Sequence, residues 1–143
     1  MKWITVMLMD HYFTVWSVIV FVENRVQDKI DYAELEKATG FSLAHIRDVF
    51  AKMTGTTLSR YILSRKIANA AFEILHNHHS ILYVATKYGF TNHDTFTRAF
   101  KRITGLTPSE FRKKRPPVRR IMLCAGMYGI GLPNRGKMED DNQ

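Results

Sequence analysis

Two stretches of this chain repeat one helical pattern. "GFSLAHIRDVFAKMTG" begins at Gly40, and "GFTNHDTFTRAFKRITG" begins at Gly89. The two Gly-Phe pairs are 49 residues apart and the closing Thr-Gly pairs are 50 apart, so the second copy has one extra residue. In each copy apolar residues recur at i, i+4 and i+7, which predicts an amphipathic helix with one buried face. These positions are Ile46, Phe50 and Met53 in the first copy and Phe96, Phe100 and Ile103 in the second.

Capping residues mark where each of these helices begins and ends. Ser42 in the first copy, and Thr91 or Asn92 in the second, are typical N-caps. Gly55 and Gly105 stand where a helix stops in the left-handed conformation. The outer face of each helix is polar, so we expect it to face solvent or a partner.

A shorter helical segment precedes each copy, "DYAELEKATG" at residues 31–40 and "SILYVATKYG" at residues 80–89. Each unit then has a helix, a tight turn at Gly40 or Gly89, and a second helix with a polar outer face. This arrangement is typical of a helix-turn-helix. A bundle of short helices joined by glycine turns gives the same pattern, but its repetition together with the positive charge favours DNA binding.

The segment "YILSRKIANAAFEILHN" at residues 61–77 has helical apolar spacing and contains neither glycine nor proline. It predicts a linker helix of about 25 Å, which would place the two outward helices near the 34 Å between successive major-groove faces. "TPSE" from Thr107 predicts a capping box and one further helix. The predicted fold is all-α, with two helix-turn-helix subdomains, a long linker helix, about seven helices and a short non-helical C-terminal extension.

The predicted domain organisation has three parts. A helix with Val15, Val18 and Val22 on one face is expected from Thr14 to Lys29. The tail is β-prone and then polar, and its strand could pair with "WITVMLM" at residues 3–9, fold over the second apolar face of the first helix, or associate with another chain. The predicted boundaries are an N-terminal extension at 1–13, a DNA-binding domain at 14–115 and a C-terminal extension at 116–143, with helix-turn-helix units at about 31–60 and 80–114.

Charge and composition narrow the function classes. The net charge is +8, and residues 78–115 carry eight basic and two acidic residues. Such an excess indicates attraction to phosphate polymers or to an anionic membrane. Because Asp10 and His11 divide the apolar N-terminus into runs below the roughly 20 residues of a membrane span, no membrane insertion is expected. The single cysteine, Cys124, favours a cytoplasmic location.

Enzymatic and metal chemistry are not predicted. The sequence shows no nucleophile-base pairing, Gly-rich phosphate loop or paired-carboxylate motif, so neither an enzyme nor a cofactor site is expected. "HNHH" at residues 76–79 suggests a metal site, but consecutive histidines cannot all face one ion. Histidine near a helix C-terminus is also favoured by the helix dipole.

"ILYVATKYGFTNHDTFTRAFKRITGLTPSEFRK" from Ile81 and "SLAHIRDVFAKMTGTTLSRYILSRKIANA" from Ser42 resemble the DNA-binding domain of the AraC/XylS family of bacterial transcription regulators. The resemblance covers residues 14–114 and is strongest to the small stand-alone activators. It implies a seven-helix domain that binds double-stranded DNA as a monomer, at an asymmetric promoter site, and that contacts RNA polymerase. Self-association through the apolar termini is also open.

The same resemblance implies two sets of contact residues. Arg47 and Arg98 suit a forked contact with guanine O6 and N7. Asp48 departs from the family pattern, in which a basic residue is frequent, so the first helix is expected to specify less than the second. The base-reading set is Ala44, Arg47, Asp48, His93, Asp94, Thr97 and Arg98. The phosphate-binding set is Lys52, Thr57, Arg60, Arg65, Lys101, Arg102, Thr107, Arg112 and Lys113.

Three other functions remain open at this point. The chain could bind nucleic acid without sequence preference, as an architectural protein. It could be a truncated regulator that lacks its effector-binding module, because the tail resembles the opening of such a module. It could also bind another protein through its apolar ends.

Overall fold

The computed structural model describes residues 2–117, and within them the chain forms seven α-helices. The predicted all-α architecture is therefore confirmed. The helices are α1 Lys2–Asn24, α2 Tyr32–Thr39, α3 Leu43–Thr54, α4 Leu58–His76, α5 Ile81–Lys87, α6 His93–Thr104 and α7 Pro108–Lys114. The C-terminal extension predicted at 116–143, with its strand, lies outside the described residues from position 118 onward.

Helix α1 corrects the prediction for the N-terminus. It is one continuous helix that includes residues 3–9, where a strand was considered, and it ends at Asn24 rather than Lys29. Its 23 residues include neither glycine nor proline, and Asp10 is a polar residue that a helix tolerates on its surface. The Thr14 hydroxyl donates to the Asp10 carbonyl at 2.8 Å, so the two segments are joined inside the helix.

By length and composition α1 could cross a membrane. Its second half instead contributes to the protein core, because Val15, Val18 and Val22 are buried against the neighbouring helices. Its first half extends past that core with its apolar side chains exposed.

The caps predicted for the two outward helices are confirmed. The Ser42 hydroxyl accepts from the His45 N–H at the start of α3, and the Asn92 side chain accepts from Asp94 and Thr95 at the start of α6. Gly55 and Gly105 adopt the left-handed conformation at the two C-termini, with φ of 74° and 85°.

The spacing of the helix N-caps shows where the extra residue of the second copy lies. The first helices of the units have N-caps 49 residues apart, at Asp31 and Ser80, whereas the second helices have N-caps 50 apart. The additional residue therefore lies in the turn of the second unit, close to Gly89. Gly89 has φ of 85°, a conformation in which a Cβ would be strained.

Helix α4 belongs to both cores of the molecule. Leu58, Tyr61 and Ile62 pack with α1, α2 and α3, and the later residues of α4 pack with α5, α6 and α7. The residues of α4 in the second core are Ile67, Ala70, Ala71, Ile74 and Leu75. One 19-residue helix, about 28 Å long, thus connects the two units without an intervening loop.

Two carboxylates fasten α4 to its neighbours. Glu23 at the end of α1 accepts from Arg65 with both oxygens and from the Tyr61 hydroxyl at 3.1 Å. Glu73 accepts from Lys87 Nζ at 2.7 Å and from the Tyr88 hydroxyl at 2.6 Å. Each unit therefore has one buried or half-buried carboxylate that joins α4 to an adjacent helix.

Candidate nucleic-acid interface

Helices α3 and α6 present matched faces. The inner face of α3 contains Ile46 and Phe50, both 0% exposed, and the inner face of α6 contains Phe96 and Phe100, also 0% exposed. Because the two helices begin 50 residues apart, each outward position of α3 has a counterpart 50 residues later in α6. The three pairs opposite the buried face are Ala44 and Asp94, Asp48 and Arg98, and Ala51 and Lys101.

The two outward faces differ in charge. The carboxylate of Asp48 on α3 pairs with Lys52 one turn later, with 2.9 Å between Oδ2 and Nζ, and both side chains are largely exposed. This pair partly neutralises the face. On α6, Arg98, Lys101 and Arg102 are exposed together, so this helix offers the stronger positive surface to a phosphate backbone.

Arg47 and His45 on α3 have neighbours from other helices. The Arg47 guanidinium lies 5.4 Å from the ring centroid of Tyr32 on α2. This distance allows a cation–π contact, which keeps the Arg47 side chain close to α2. The His45 ring lies 5.0 Å from Phe41 and 6.3 Å from His11 of α1. The first outward helix is therefore bordered by aromatic side chains.

The structure changes the interpretation of Thr97. Its hydroxyl oxygen is buried and makes no hydrogen bond within the described part of the chain. The hydroxyl thus faces the protein rather than a base edge. His93, Asp94 and Arg98 are exposed as predicted.

Thr95 is exposed on the other flank of the α6 face and is not among the contact residues predicted from the sequence. Helical spacing could have identified it, because it lies three residues before Arg98 on one side of the helix.

Several predicted phosphate ligands lie on the surface. Lys52, Arg60, Lys101, Arg102 and Lys113 are exposed. Thr57 and Thr107 are N-caps whose hydroxyls accept from the Arg60 and Glu110 N–H groups, each at 3.2 Å. N–H groups in the first turn of a helix are suited to bind a phosphate oxygen.

Arg65 and Arg112 are instead occupied within the protein. Arg65 Nη2 lies 3.0 Å from the Glu23 carboxylate, and Arg112 Nε donates to the Ile74 carbonyl at 3.1 Å. Arg112 and Arg115 both bind carbonyls at the end of α4, which satisfies acceptors that a helix C-terminus leaves open. We therefore leave Arg65 and Arg112 out of the contact set proposed below.

Two of the three histidines in residues 76–79 make aromatic contacts. His76 lies 4.3 Å from Phe72, and His79 stacks on Tyr83 at 4.3 Å. Between residues 2 and 117, no group of three or more His, Cys, Asp or Glu side chains is arranged to hold a metal ion.

Comparison with known proteins gives a consistent result. A family model described as a helix-turn-helix domain matches residues 35–114. The multiple antibiotic resistance protein MarA of Escherichia coli is 31% identical over 99 residues, which are 69% of this chain and 78% of MarA. The HTH-type transcriptional activator AarP of Providencia stuartii is 28% identical over 96 residues, which are 67% of this chain and 71% of AarP.

A solved structure has the same fold. It is a DNA-binding transcriptional dual regulator from Escherichia coli K-12, with a TM-score of 0.63 and 19% identity. The match covers 71% of this chain and 90% of that chain.

Proposed function

Because this chain belongs to the AraC family of helix-turn-helix transcription regulators, we propose that it inserts α3 and α6 into two adjacent major grooves of an asymmetric promoter site. The chain is a DNA-binding regulator and not an enzyme. The observation that carries the proposal is the matched pair of outward faces, held by a single continuous helix that belongs to both cores. One chain then supplies both reading helices of its site.

The two helices have different parts in this proposal. Arg98 on α6 reads a guanine edge, with His93, Asp94 and Thr95 beside it. Arg47 on α3 contacts a base edge in the other groove. Because Asp48 is paired with Lys52 and Ala44 is small, α3 has fewer groups for base contacts. Specificity is therefore greater in the half-site bound by α6. Phosphate contacts come from Lys52, Arg60, Lys101, Arg102 and Lys113 and from the helix starts at Thr57 and Thr107.

The regulatory outcome is proposed from the relatives. AarP is named a transcriptional activator, and the resemblance to the AraC/XylS family implies contact with RNA polymerase. We therefore propose that this protein activates transcription in the cytoplasm through such a contact.

Selection of duplexes from a random pool, followed by footprinting, tests the proposal. We expect one preferred asymmetric site with two protected major-groove segments about 10 base pairs apart on the same side of the duplex. Six or more phosphate contacts should make affinity fall on the order of a thousandfold between 50 and 200 mM salt. A pool that yields no preferred sequence would instead support a non-specific architectural protein. Protection of a single groove would contradict insertion of both helices.

A further inference from the structure

Helix α1 has a second apolar face that the core does not use. We call this face the outer seam of α1, and it consists of Val6, Met9, Phe13, Trp16 and Val20. These five residues are spaced alternately by three and four positions, which is the spacing of a two-helix packing seam. Each is between 47% and 70% exposed.

The outer seam lies on the opposite side of α1 from the buried residues. Val15, Val18 and Val22 face the core, and at 100° per residue the seam residues Phe13, Trp16 and Val20 lie on the far side. The helix thus has one apolar face packed on its own unit and another that no described residue covers. A single-sided surface helix would carry polar residues there.

We propose that the outer seam binds the outer seam of a second copy of this chain, with the two α1 helices antiparallel. The seam side chains are 47% to 70% exposed, and Tyr12 beside them is 59% exposed. Together they present on the order of 700 Å² of largely apolar surface, taking 150–250 Å² for a fully exposed aromatic side chain. Two copies would bury up to about 1,400 Å², which lies within the roughly 1,200–2,000 Å² of stable interfaces.

The charge at the N-terminal end of the seam favours one orientation. Lys2 lies one turn before Val6, in line with the seam. A parallel pair would bring the two Lys2 ammonium groups together, whereas an antiparallel pair places them at opposite ends of the interface and removes this repulsion. Glu23 near the other end is already bound by Arg65 and Tyr61 of its own chain.

The antiparallel pairing has a definite register. Met9 of one helix lies opposite the partner's Phe13, and Val6 lies opposite the partner's Trp16, so each contact occurs twice about the two-fold axis. This self-complementarity is what a symmetric dimer interface requires. The seam faces away from α3, because α3 packs against the other side of α1. Each copy in the pair can therefore bind its own DNA site, and the pair can hold two sites together.

The mass of the full chain in solution, measured at about 1 to 100 µM, tests the pairing. We expect twice the monomer mass of 16.6 kDa. Met9→Glu should weaken self-association at least about a hundredfold, because it buries an unpaired charge at the seam. Ile4→Glu is the matched control, since Ile4 is 64% and Met9 68% exposed in the same helix but Ile4 lies off the seam. A wild-type chain that stays monomeric throughout, or two variants that behave alike, would overturn the proposal.

Disulfide trapping tests the register and orientation in a Cys124→Ser background. A mixture of Met9→Cys and Phe13→Cys chains should form the mixed crosslink at least about tenfold faster than either chain alone forms its own, because only the mixed pair is adjacent. Faster crosslinking of Met9→Cys with itself would overturn the antiparallel pairing. Binding of the wild-type monomer to phosphatidylglycerol vesicles, with no dimer in solution, would assign the seam to a membrane and overturn it as well. Binding of each variant to a single DNA site is a separate measurement, which reports on the proposed function alone.

Discussion

Asp48 and Arg98 occupy the same position on the outward faces of α3 and α6, 50 residues apart, and they carry opposite charges. Asp48 is paired with Lys52 at 2.9 Å. The Arg98 Nε lies 3.4 Å from the Asp94 carbonyl of its own helix, so its guanidinium lies along the outward face. The two units therefore have the same backbone arrangement but present different groups at the centre of their outward faces.

Arg98→Ala should reduce discrimination between the selected site and random duplex by about 1 to 3 kcal/mol, because it removes the proposed bidentate base contact. Lys113→Ala, which removes a proposed phosphate contact, should weaken binding to both duplexes by the same factor. Competition binding at fixed salt measures both effects. Equal losses on both duplexes for Arg98→Ala would argue against base reading by α6.

Asp48→Asn should raise affinity for random duplex by about two- to fivefold, because it removes a negative charge near the phosphates and releases Lys52 from an exposed ion pair. The dependence of log affinity on log salt should also become steeper, by up to about one phosphate contact. Titrations between 50 and 200 mM salt measure this slope. In the Asp48→Asn, Lys52→Ala double variant the increase in slope should disappear.

Arg65→Ala should affect stability more than DNA binding. The Arg65 guanidinium binds both oxygens of Glu23 and so joins α4 to α1. Since the pair is about one-third exposed, we expect a loss of about 1 to 2 kcal/mol in the free energy of unfolding, reduced by solvent screening. Denaturant unfolding and duplex binding of the same preparation separate the two roles. A large loss of DNA affinity with unchanged stability would restore Arg65 to the phosphate-binding set.

The continuity of α4 gives a further prediction. Ala68 lies in the part of α4 that follows the first core, and proline there removes a helix hydrogen bond at a cost of about 3 kcal/mol or more. In Ala68→Pro the two units should lose their fixed spacing, and affinity for the two-groove site should fall towards that of one unit. Ala68→Ser is the control. An unchanged footprint and affinity would show that α4 does not set the spacing.

Local sequence signals predicted most of this fold. The N-cap at Ser42 and the left-handed glycines at Gly55 and Gly105 depend on interactions within one or two turns, so the sequence around them is sufficient. The repeat then supplied a second observation of each feature. The positions of the N-caps place the extra residue of the second copy in the turn between α5 and α6.

Contacts between residues far apart in the sequence explain why the partners of Arg65 and Arg112 were not predicted. Arg65 binds a carboxylate 42 residues away, and Arg112 binds a carbonyl 38 residues away. The sequence around a basic residue does not indicate whether its side chain is already bound to an acceptor on another helix. For Thr97 the side-chain rotamer decides whether the hydroxyl faces the protein or the solvent. In α1 the polar pair after Met9 suggested a boundary, although a helix tolerates surface polar residues.

The Glu73 carboxylate gives a pH-dependent prediction. Burial by itself raises the pKa of this carboxyl, but hydrogen bonds from Lys87 and Tyr88, with the positive charge of Lys87 and of His79, outweigh it and leave the pKa below its ordinary value. A carboxyl whose pKa is lower in the folded state stabilises the fold above its unfolded pKa of about 4.3. This stabilisation disappears as the pH falls through the lower, folded pKa.

Glu73→Gln should therefore lower the free energy of unfolding at pH 7 by about 1 to 3 kcal/mol, because it replaces a charged acceptor that is 8% exposed. The difference from the wild type should be constant above about pH 5 and should shrink as the pH falls below about 4. Denaturant unfolding between pH 3 and 7 measures it, with Glu36→Gln, an exposed carboxyl on α2, as the control that should stay close to the wild type. A difference that grows towards low pH would mean that burial outweighs the hydrogen bonds from Lys87 and Tyr88, so that the pKa of Glu73 is raised and not lowered in the folded protein.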